Sequence, residues 1–150
     1  MFGGRLAEDF KLATGTWVHV GQLRTRLVSA AGVLADAVIC GHDRDRAAAL
    51  AWVNQTEARR LCSCDDDVPL EDPTLRAHLA ERLAELNAGA GSASSIARLL
   101  LLEQPPGIDA GEITDKGYVN QRRVLERRSD KVDRLFSEPI DERVITPRGA

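Results

Sequence analysis

The sequence lacks long apolar runs, an excess of basic residues and a signal-peptide pattern. No apolar run approaches the roughly 20 residues that a membrane-spanning helix needs, and the chain starts MFGGRLAEDFK. The formal net charge is -3, whereas a general nucleic-acid binder would need a basic surface. With 43% hydrophobic and 29% charged residues in a chain of 150, we expect a soluble globular protein. We predict a single domain that binds neither nucleic acid nor a membrane.

Cysteine is scarce, and its spacing argues against disulfides. The chain has three cysteines, and Cys62 and Cys64 are too close for an ordinary structural disulfide. We therefore expect a reducing compartment, the cytoplasm. The C-x-C pair precedes the acidic run Asp65–Asp67, but structural zinc sites use a second pair of ligands. We predict a solvated loop here and no metal site.

Several enzyme signatures are also missing. The sequence contains no P-loop, no G-x-G-x-x-G, no G-x-S-x-G and no H-E-x-x-H. A cysteine–histidine nucleophile pair is possible in principle, because His19, His42 and His78 are present. Cys40, however, lies in an apolar run that predicts a core strand, where a thiol is usually inert.

The hydrophobic pattern predicts an α+β fold, a small mixed β-sheet flanked by about three helices. In chain order we expect a hairpin within residues 4–20, a helix over 21–31, paired strands at 37–40 and 47–53, a short helix over 55–62, a helix from Asp72 to Asn87, a strand over 96–102, and one long helix from about 119 to 136. Two prolines and little pattern predict a poorly ordered tail over 137–150.

Two segments carry residues suited to binding an anion. Residues 109–121 form a surface loop in which Lys116 can reach an anion, although a solvated lysine is the simpler interpretation. Near the start, Arg5 and Lys11 flank a tight turn at Thr14–Gly15, which either holds a phosphate-bearing ligand or is a plain hairpin.

A basic cluster follows the loop. Acidic residues on the same predicted helix indicate that this cluster is a salt-bridged exposed face rather than a phosphate site. Its members are Arg122, Arg123, Arg127 and Arg128.

Taken together, the two segments resemble one enzyme family. Residues 4–18, GRLAEDFKLATGTWV, are similar to the hinge segment that opens the C-terminal domain of adenylate-forming enzymes. Residues 39–45, ICGHDRD, and 108–118, IDAGEITDKGY, look like the feruloyl-CoA synthase branch of the acyl-CoA synthetases. The resemblance spans about residues 2–136 and implies a C-terminal lid domain of the α+β class over residues 1–136.

The resemblance implies a two-step ligase reaction that uses ATP, Mg2+ and CoA. A carboxylic acid, such as a hydroxycinnamate, reacts with Mg-ATP to give an acyl-adenylate and pyrophosphate. The thiol of CoA then displaces AMP to give the thioester. A lysine of the lid bridges the acid and the nucleotide phosphate in the first step.

The family roles map onto named positions of this sequence. Lys116 matches the catalytic lysine, although many relatives place that lysine directly after a glycine and here Gly111 is followed by Glu112. Ala7 stands where many relatives have a hinge aspartate, with Glu8 beside it. The resemblance further implies a nucleotide contact at Arg5 and a CoA-facing hairpin that contains Lys11, Gly15, Thr16 and Trp17.

The phosphate loop, the adenine pocket and the acid pocket of such enzymes belong to a large N-terminal adenylation domain. This sequence starts at the hinge, so we expect it to be inactive without that domain as a partner. The alternative is a stand-alone, non-catalytic interaction or regulatory module that keeps the lid fold.

Overall fold

A computed structural model describes residues 9–91 and 94–148, so Arg5, Ala7 and Glu8 lie outside the described residues. The strands are β1 (Phe10–Lys11), β2 (Trp17–Val18), β3 (Leu34–Cys40), β4 (Ala48–Val53) and β5 (Leu99–Leu101). The helices are α1 (Val20–Ala31), α2 (Gln55–Cys62), α3 (Pro73–Asn87), α4 (Gln121–Arg127) and α5 (Ser129–Leu135).

The central sheet is mixed, and the predicted α+β class is confirmed. Its order is β3-β4-β5, in which β3 and β4 are antiparallel and β5 runs parallel to β4. Strands β1 and β2 form a separate antiparallel hairpin. A parallel pair needs a crossover connection, and here α2 and α3 supply it between β4 and β5.

Both faces of the central sheet are covered, which explains why its strands read as continuous apolar runs. One face packs against the leucines of α1 and α3, such as Leu27 and Leu79. The opposite face, which includes Val38 and Leu50, packs against Val124 and Leu135 from α4 and α5. Four helices thus enclose a three-stranded sheet in three layers.

Helix α3 begins and packs as the sequence predicts. The Asp72 carboxylate accepts a hydrogen bond from the Leu75 amide at 3.0 Å, and Pro73 is the first helical residue. The apolar stripe of this helix is buried: Leu75, Leu79, Leu83 and Leu86.

The predicted long helix after residue 119 is wrong in one respect. Arg128, at φ -112° and ψ 35°, leaves the helical conformation and separates α4 from α5. Both helices pack on the same sheet face, so the apolar pattern continues across the break and does not reveal it. With this break, the described residues contain five helices where four were predicted along the chain, and four of the five enclose the central sheet where about three were expected to flank it.

The described part of the C-terminal segment, residues 137–148, contacts the sheet and α3. Val144 and Ile145 are buried. Ile145 pairs with Leu99, with its amide donating to the Leu99 carbonyl at 2.7 Å. Arg76 of α3 donates to three backbone carbonyls of residues 142–144. The tail therefore completes the edge of the sheet beside β5.

Candidate functional site

The first hairpin, residues 10–18, has a three-residue turn that requires a left-handed glycine. The Leu12 amide donates to the Thr16 carbonyl at 2.9 Å, and Gly15 has φ +89°. This geometry is the common hairpin loop that ends in a residue with positive φ. The predicted hairpin is confirmed, and the sequence signal for it was Thr14–Gly15.

Lys11 and Trp17 lie side by side on the exposed face of this hairpin. They are register partners across the two strands. The Lys11 ammonium lies 5.6 Å from the centre of the Trp17 ring, which is 52% exposed. The ring holds a cation close to an open apolar surface, an arrangement that suits an anionic ligand with an apolar part.

The first hairpin is attached to the turn between β3 and β4. The Ala13 amide donates to the Arg44 carbonyl at 2.8 Å, and the Asp43 amide donates to the Lys11 carbonyl at 3.1 Å. Asp9 links the hairpin to α1, since its carboxylate accepts the Val20 amide at 3.0 Å. Backbone amides and one helix cap therefore fix the orientation of this hairpin.

The second hairpin, residues 113–119, carries Lys116 at its tip. Ile113 and Val119 pair as an isolated bridge, and the Thr114 amide donates to the Tyr118 carbonyl at 2.7 Å. Gly117 has φ +86°, so Lys116 is the middle residue of a three-residue turn of the same kind. Lys116 is exposed, and no carboxylate among the described residues forms an ion pair with it.

The base of the second hairpin contains a buried carboxylate. Glu112 is 0% exposed and accepts hydrogen bonds from Arg128 and from the Gly107 amide. The Arg128 guanidinium, the Gly107 amide and the nearby Arg127 hold the pKa of Glu112 below its ordinary value, against the effect of burial. We call Glu112, Arg127, Arg128 and the Gly107 amide the Glu112 cluster.

Sequence reasoning missed this cluster. The prediction of an exposed face whose arginines pair with acidic residues of the same helix holds for Arg123, which pairs with Glu126. It is wrong for Arg127 and Arg128, because both pair with the buried Glu112 outside the helix, and the Arg128 side chain is only 12% exposed. The only local signal at Glu112 was its position directly after Gly111 and before Ile113, and this position does not indicate that the carboxylate is buried. A buried partner could not be read from the sequence, because the two residues are sixteen positions apart and joined by a turn.

The alternative sites weighed from the sequence gain no support from the geometry. Burial raises the pKa of the Cys40 thiol to about 12, so this cysteine is a poor nucleophile. Within residues 9–91 and 94–148, no group of three His, Cys, Asp or Glu side chains is arranged to hold a metal ion. The described helices are all too short or too polar to cross a membrane.

An open groove of about 560 Å³ lies elsewhere on the surface. Trp52 and Pro105 line it together with residues 67–71, and none of the predicted site residues does. The predicted site residues that the structure describes lie on the exposed faces of the two hairpins.

Comparison with protein families decides the relationship. The model of the AMP-binding enzyme C-terminal domain matches residues 9–139. The chain belongs to this family. It is thus a C-terminal domain of the adenylate-forming enzymes, as the resemblance implied. No curated protein sequence matches the chain.

The fold is similar to that of a region within adenylation domains of carboxylic acid reductases. The chain is similar to the adenylation domain of a carboxylic acid reductase from Mycobacterium chelonae, with a TM-score of 0.70 and 16% identity over 88% of this chain. It is also similar to the A domain of the Segniliparus rugosus reductase, in complex with AMP and a co-purified carboxylic acid, with a TM-score of 0.68 and 16% identity over 88% of this chain. The AMP-binding C-terminal domain described here spans 20% of each of those chains.

Proposed function

We propose that this domain acts as the mobile lid of an enzyme that activates a carboxylic acid with ATP and passes the acyl group to CoA. The membership in the AMP-binding C-terminal domain family supports the first half of this reaction. The feruloyl-CoA synthase branch, and with it a hydroxycinnamate substrate, rests on the motif resemblance in residues 4–18, 39–45 and 108–118.

The observation that carries the proposal is the exposed lysine at the tip of the second hairpin. Lys116 has no carboxylate partner among the described residues, and it is the exposed middle residue of the turn. A lysine held in this way can enter a site formed by another domain. There its positive charge would stabilise the negative charge that develops as the acid oxygen attacks the α-phosphate and pyrophosphate leaves.

The first hairpin suits the second step of the reaction. After the lid rotates, Lys11 and Trp17 would face the CoA entry, together with Gly15 and Thr16 of the same turn. The cation would bind phosphate, and the exposed ring would cover the apolar part of the ligand. The CoA thiol attacks the acyl carbonyl, its proton leaves to solvent or base, and AMP is released. Arg5, Ala7 and Glu8 complete the proposed hinge and nucleotide contact.

Mg2+ would arrive with ATP. Because the described residues offer no cluster of carboxylates for a metal ion, we assign no Mg2+ ligand to this domain. The remaining walls of the active site would come from a large adenylation domain, whether it precedes this domain in the same polypeptide or is a separate chain. Both arrangements bring the lid to the same site.

A second candidate function is favoured by the structural matches, which are adenylation domains of carboxylic acid reductases. A carboxylic acid reductase would share the adenylation step with the proposed CoA ligase, but it would reduce the acyl group instead of passing it to CoA. The product distinguishes the two: a CoA thioester supports the ligase, and an aldehyde formed with a reductase partner and an added hydride donor supports the alternative.

Reconstitution tests the proposal. The 150-residue chain is mixed with an acyl-CoA synthetase from which the C-terminal domain has been deleted, and CoA thioester formation is measured. We expect activity to return, and we expect Lys116→Ala to lower kcat of the adenylation step by about 100-fold or more. Lys131→Ala, a lysine on α5, is the matched control and should leave kcat unchanged.

Two outcomes would contradict the proposal. Restored activity that is insensitive to Lys116→Ala would remove Lys116 from the catalytic role. If no adenylation domain regains activity with this chain, the non-catalytic interaction module becomes the better interpretation.

A further inference from the structure

The position of Lys116 depends on the base of the second hairpin. The hairpin has one bridge, between Ile113 and Val119, and beyond it only the turn that contains Lys116. At its base the Asn120 amide donates to the Glu112 carbonyl at 2.7 Å. A two-stranded ribbon this short is not stable by itself. The orientation of the second hairpin must therefore be set by the contacts that Glu112 and Asn120 make at its base.

Glu112 is held by charged hydrogen bonds from a neighbouring segment. Arg128 Nε donates to Oε2 at 2.9 Å and Arg128 Nη2 donates to Oε1 at 3.1 Å, a bidentate pair. The Gly107 amide donates to Oε1 at 2.9 Å, and Arg127 Nη1 lies 3.5 Å from the same oxygen. The carboxylate thus has several fixed donors and no contact with solvent.

Arg128 in turn is fixed against the sheet. Its guanidinium donates to the Gln104 carbonyl at 2.9 Å and to the Pro105 carbonyl at 3.1 Å. The same group lies 5.5 Å from the centre of the buried Trp52 ring, whose Nε1 donates to the Gln104 carbonyl at 2.7 Å. Trp52 belongs to β4, the middle strand, so the chain of contacts runs from the sheet centre to the hairpin base.

The break between α4 and α5 belongs to the same arrangement. Arg128 is the residue that leaves the helical conformation, and it is also the residue whose side chain reaches Glu112. At the other end of α4, the Gln121 side chain accepts the Ile39 amide of the edge strand at 2.8 Å. Both ends of this short helix are therefore attached, one to the sheet edge and one to Glu112.

A buried ion pair is a poor way to gain stability, because both charges lose their hydration. Apolar side chains of similar volume would fill the same space, but the Gly107 amide and the Gln104 and Pro105 carbonyls would lose their hydrogen bonds to the pair. What the bidentate pair adds is a fixed geometry, since only one orientation of a carboxylate satisfies both guanidinium donors.

We propose that Glu112 and Arg128 are positioning residues for Lys116. They set the orientation of the second hairpin relative to the sheet, so that the lysine enters the active site of the large domain in one direction. Neither residue contacts the substrate. This inference rests on the proposed function for the role of Lys116, but the anchoring of the hairpin is a property of the domain alone.

The test measures anchoring and catalysis separately. Hydrogen exchange is followed at the Gly107, Thr114 and Asn120 amides, with the Leu12 amide of the first hairpin as an internal reference. In Glu112→Gln, which keeps the shape and removes the charge, we expect exchange at the first three amides to rise by about tenfold or more. Glu85→Gln, an exposed ion-pair partner of Arg82 on α3, should change none of them.

A double variant separates positioning from stability. Glu112→Leu combined with Arg128→Met replaces the pair by apolar side chains, and we expect a thermal unfolding midpoint closer to that of the parent than the midpoint of either single variant, because no buried charge is left unpaired. Exchange at the second hairpin should nevertheless rise as in Glu112→Gln. In the reconstituted enzyme, kcat should fall by up to about 100-fold while KM for the acid changes little, because a misplaced lysine affects the transition state.

Three results are decisive. Parent-like protection of the second hairpin in the double variant would overturn the proposal, and so would an equal rise in exchange at the Leu12 amide. If the hairpin loosens but Lys116→Ala has no effect on kcat, the anchoring is supported and the catalytic role of Lys116 fails. The failure of the proposed function is thereby distinguished from the failure of this inference.

Discussion

The two hairpins of this domain use the same turn but are anchored by different forces. Each has three turn residues that end in a glycine with positive φ, Gly15 in the first hairpin and Gly117 in the second. Each presents one lysine, Lys11 beside Trp17 and Lys116 at the tip. The turn chemistry therefore does not distinguish them.

Their attachments differ. The first hairpin is hydrogen-bonded through its backbone to residues 43 and 44 of the β3–β4 turn, and the Asp9 carboxylate links it to the Val20 amide of α1. Its buried residues Phe10, Leu12 and Val18 belong to the apolar core. The second hairpin depends on the buried Glu112 carboxylate and Arg128. Backbone attachment responds to steric change, whereas a buried charge pair responds to pH and to the loss of one charge.

The largest effect is expected from a methyl group at Gly41, in the β3–β4 turn to which the first hairpin is hydrogen-bonded. Gly41 has φ +137°, and a Cβ there would lie 2.8 Å from the Arg46 carbonyl oxygen. We expect Gly41→Ala to destabilise the domain by about 3 kcal/mol, from backbone strain and a contact that cannot relax. Chemical denaturation measures the loss.

Gly32→Ala is the matched control, because Gly32 also has positive φ but a Cβ there meets no atom within 4 Å. It should cost only about 1 kcal/mol. In Gly41→Ala, exchange should rise at the Ala13 amide, which donates to Arg44, and stay unchanged at Thr114 in the native state. If the two glycine variants lost the same free energy of unfolding, the close contact at residue 41 would not be what destabilises Gly41→Ala.

Acid is expected to affect the second hairpin in preference to the first. In the folded domain the pKa of Glu112 lies below its ordinary value of 4.5 because Arg128 donates to it. The cluster therefore contributes its full stability above pH 4.5, and this contribution is lost as the pH falls through the lowered pKa. Amide protection factors between about pH 6 and pH 3 should fall first at Gly107 and Asn120.

In Glu112→Gln this acid-dependent loss should disappear, because the amide does not titrate. If the parent protein lost protection at Leu12 and Asn120 together, global acid unfolding would explain the result better than the cluster.

Most of this architecture could be predicted from local signals in the sequence. Thr14–Gly15 marks the first turn, Asp72–Pro73 marks the start of α3, and the leucines of α3 recur at helical spacing. The apolar runs of β3 and β4 indicate a sheet covered on both faces. These features depend on residues that are neighbours in the sequence.

The parts that could not be predicted depend on distant pairs. The parallel addition of β5 to β4, and the pairing of Ile145 with Leu99, leave no periodic signal near either residue. Arg128 looks like one more arginine on an amphipathic helix until the turn at 113–119 brings Glu112 to it. A catalytic role for Lys116 could be proposed from the family resemblance. The Glu112–Arg128 pair that anchors its hairpin could be seen only in the three-dimensional structure.

The smallest expected effect on stability is at Trp17, and it sharpens the comparison from the functional side. The ring is 52% exposed and its described contact is with Lys11, so Trp17→Ala should change the unfolding free energy by no more than about 0.5 kcal/mol. Ile140→Ala, at a side chain that is 45% exposed and outside both hairpins, is the matched control.

In the reconstituted enzyme, Trp17→Ala should raise KM for CoA and leave ATP–pyrophosphate exchange unchanged. Lys116→Ala should do the reverse, because the two hairpins would serve different steps. If both variants impaired the adenylation step to the same degree, the assignment of one hairpin to each step would be wrong.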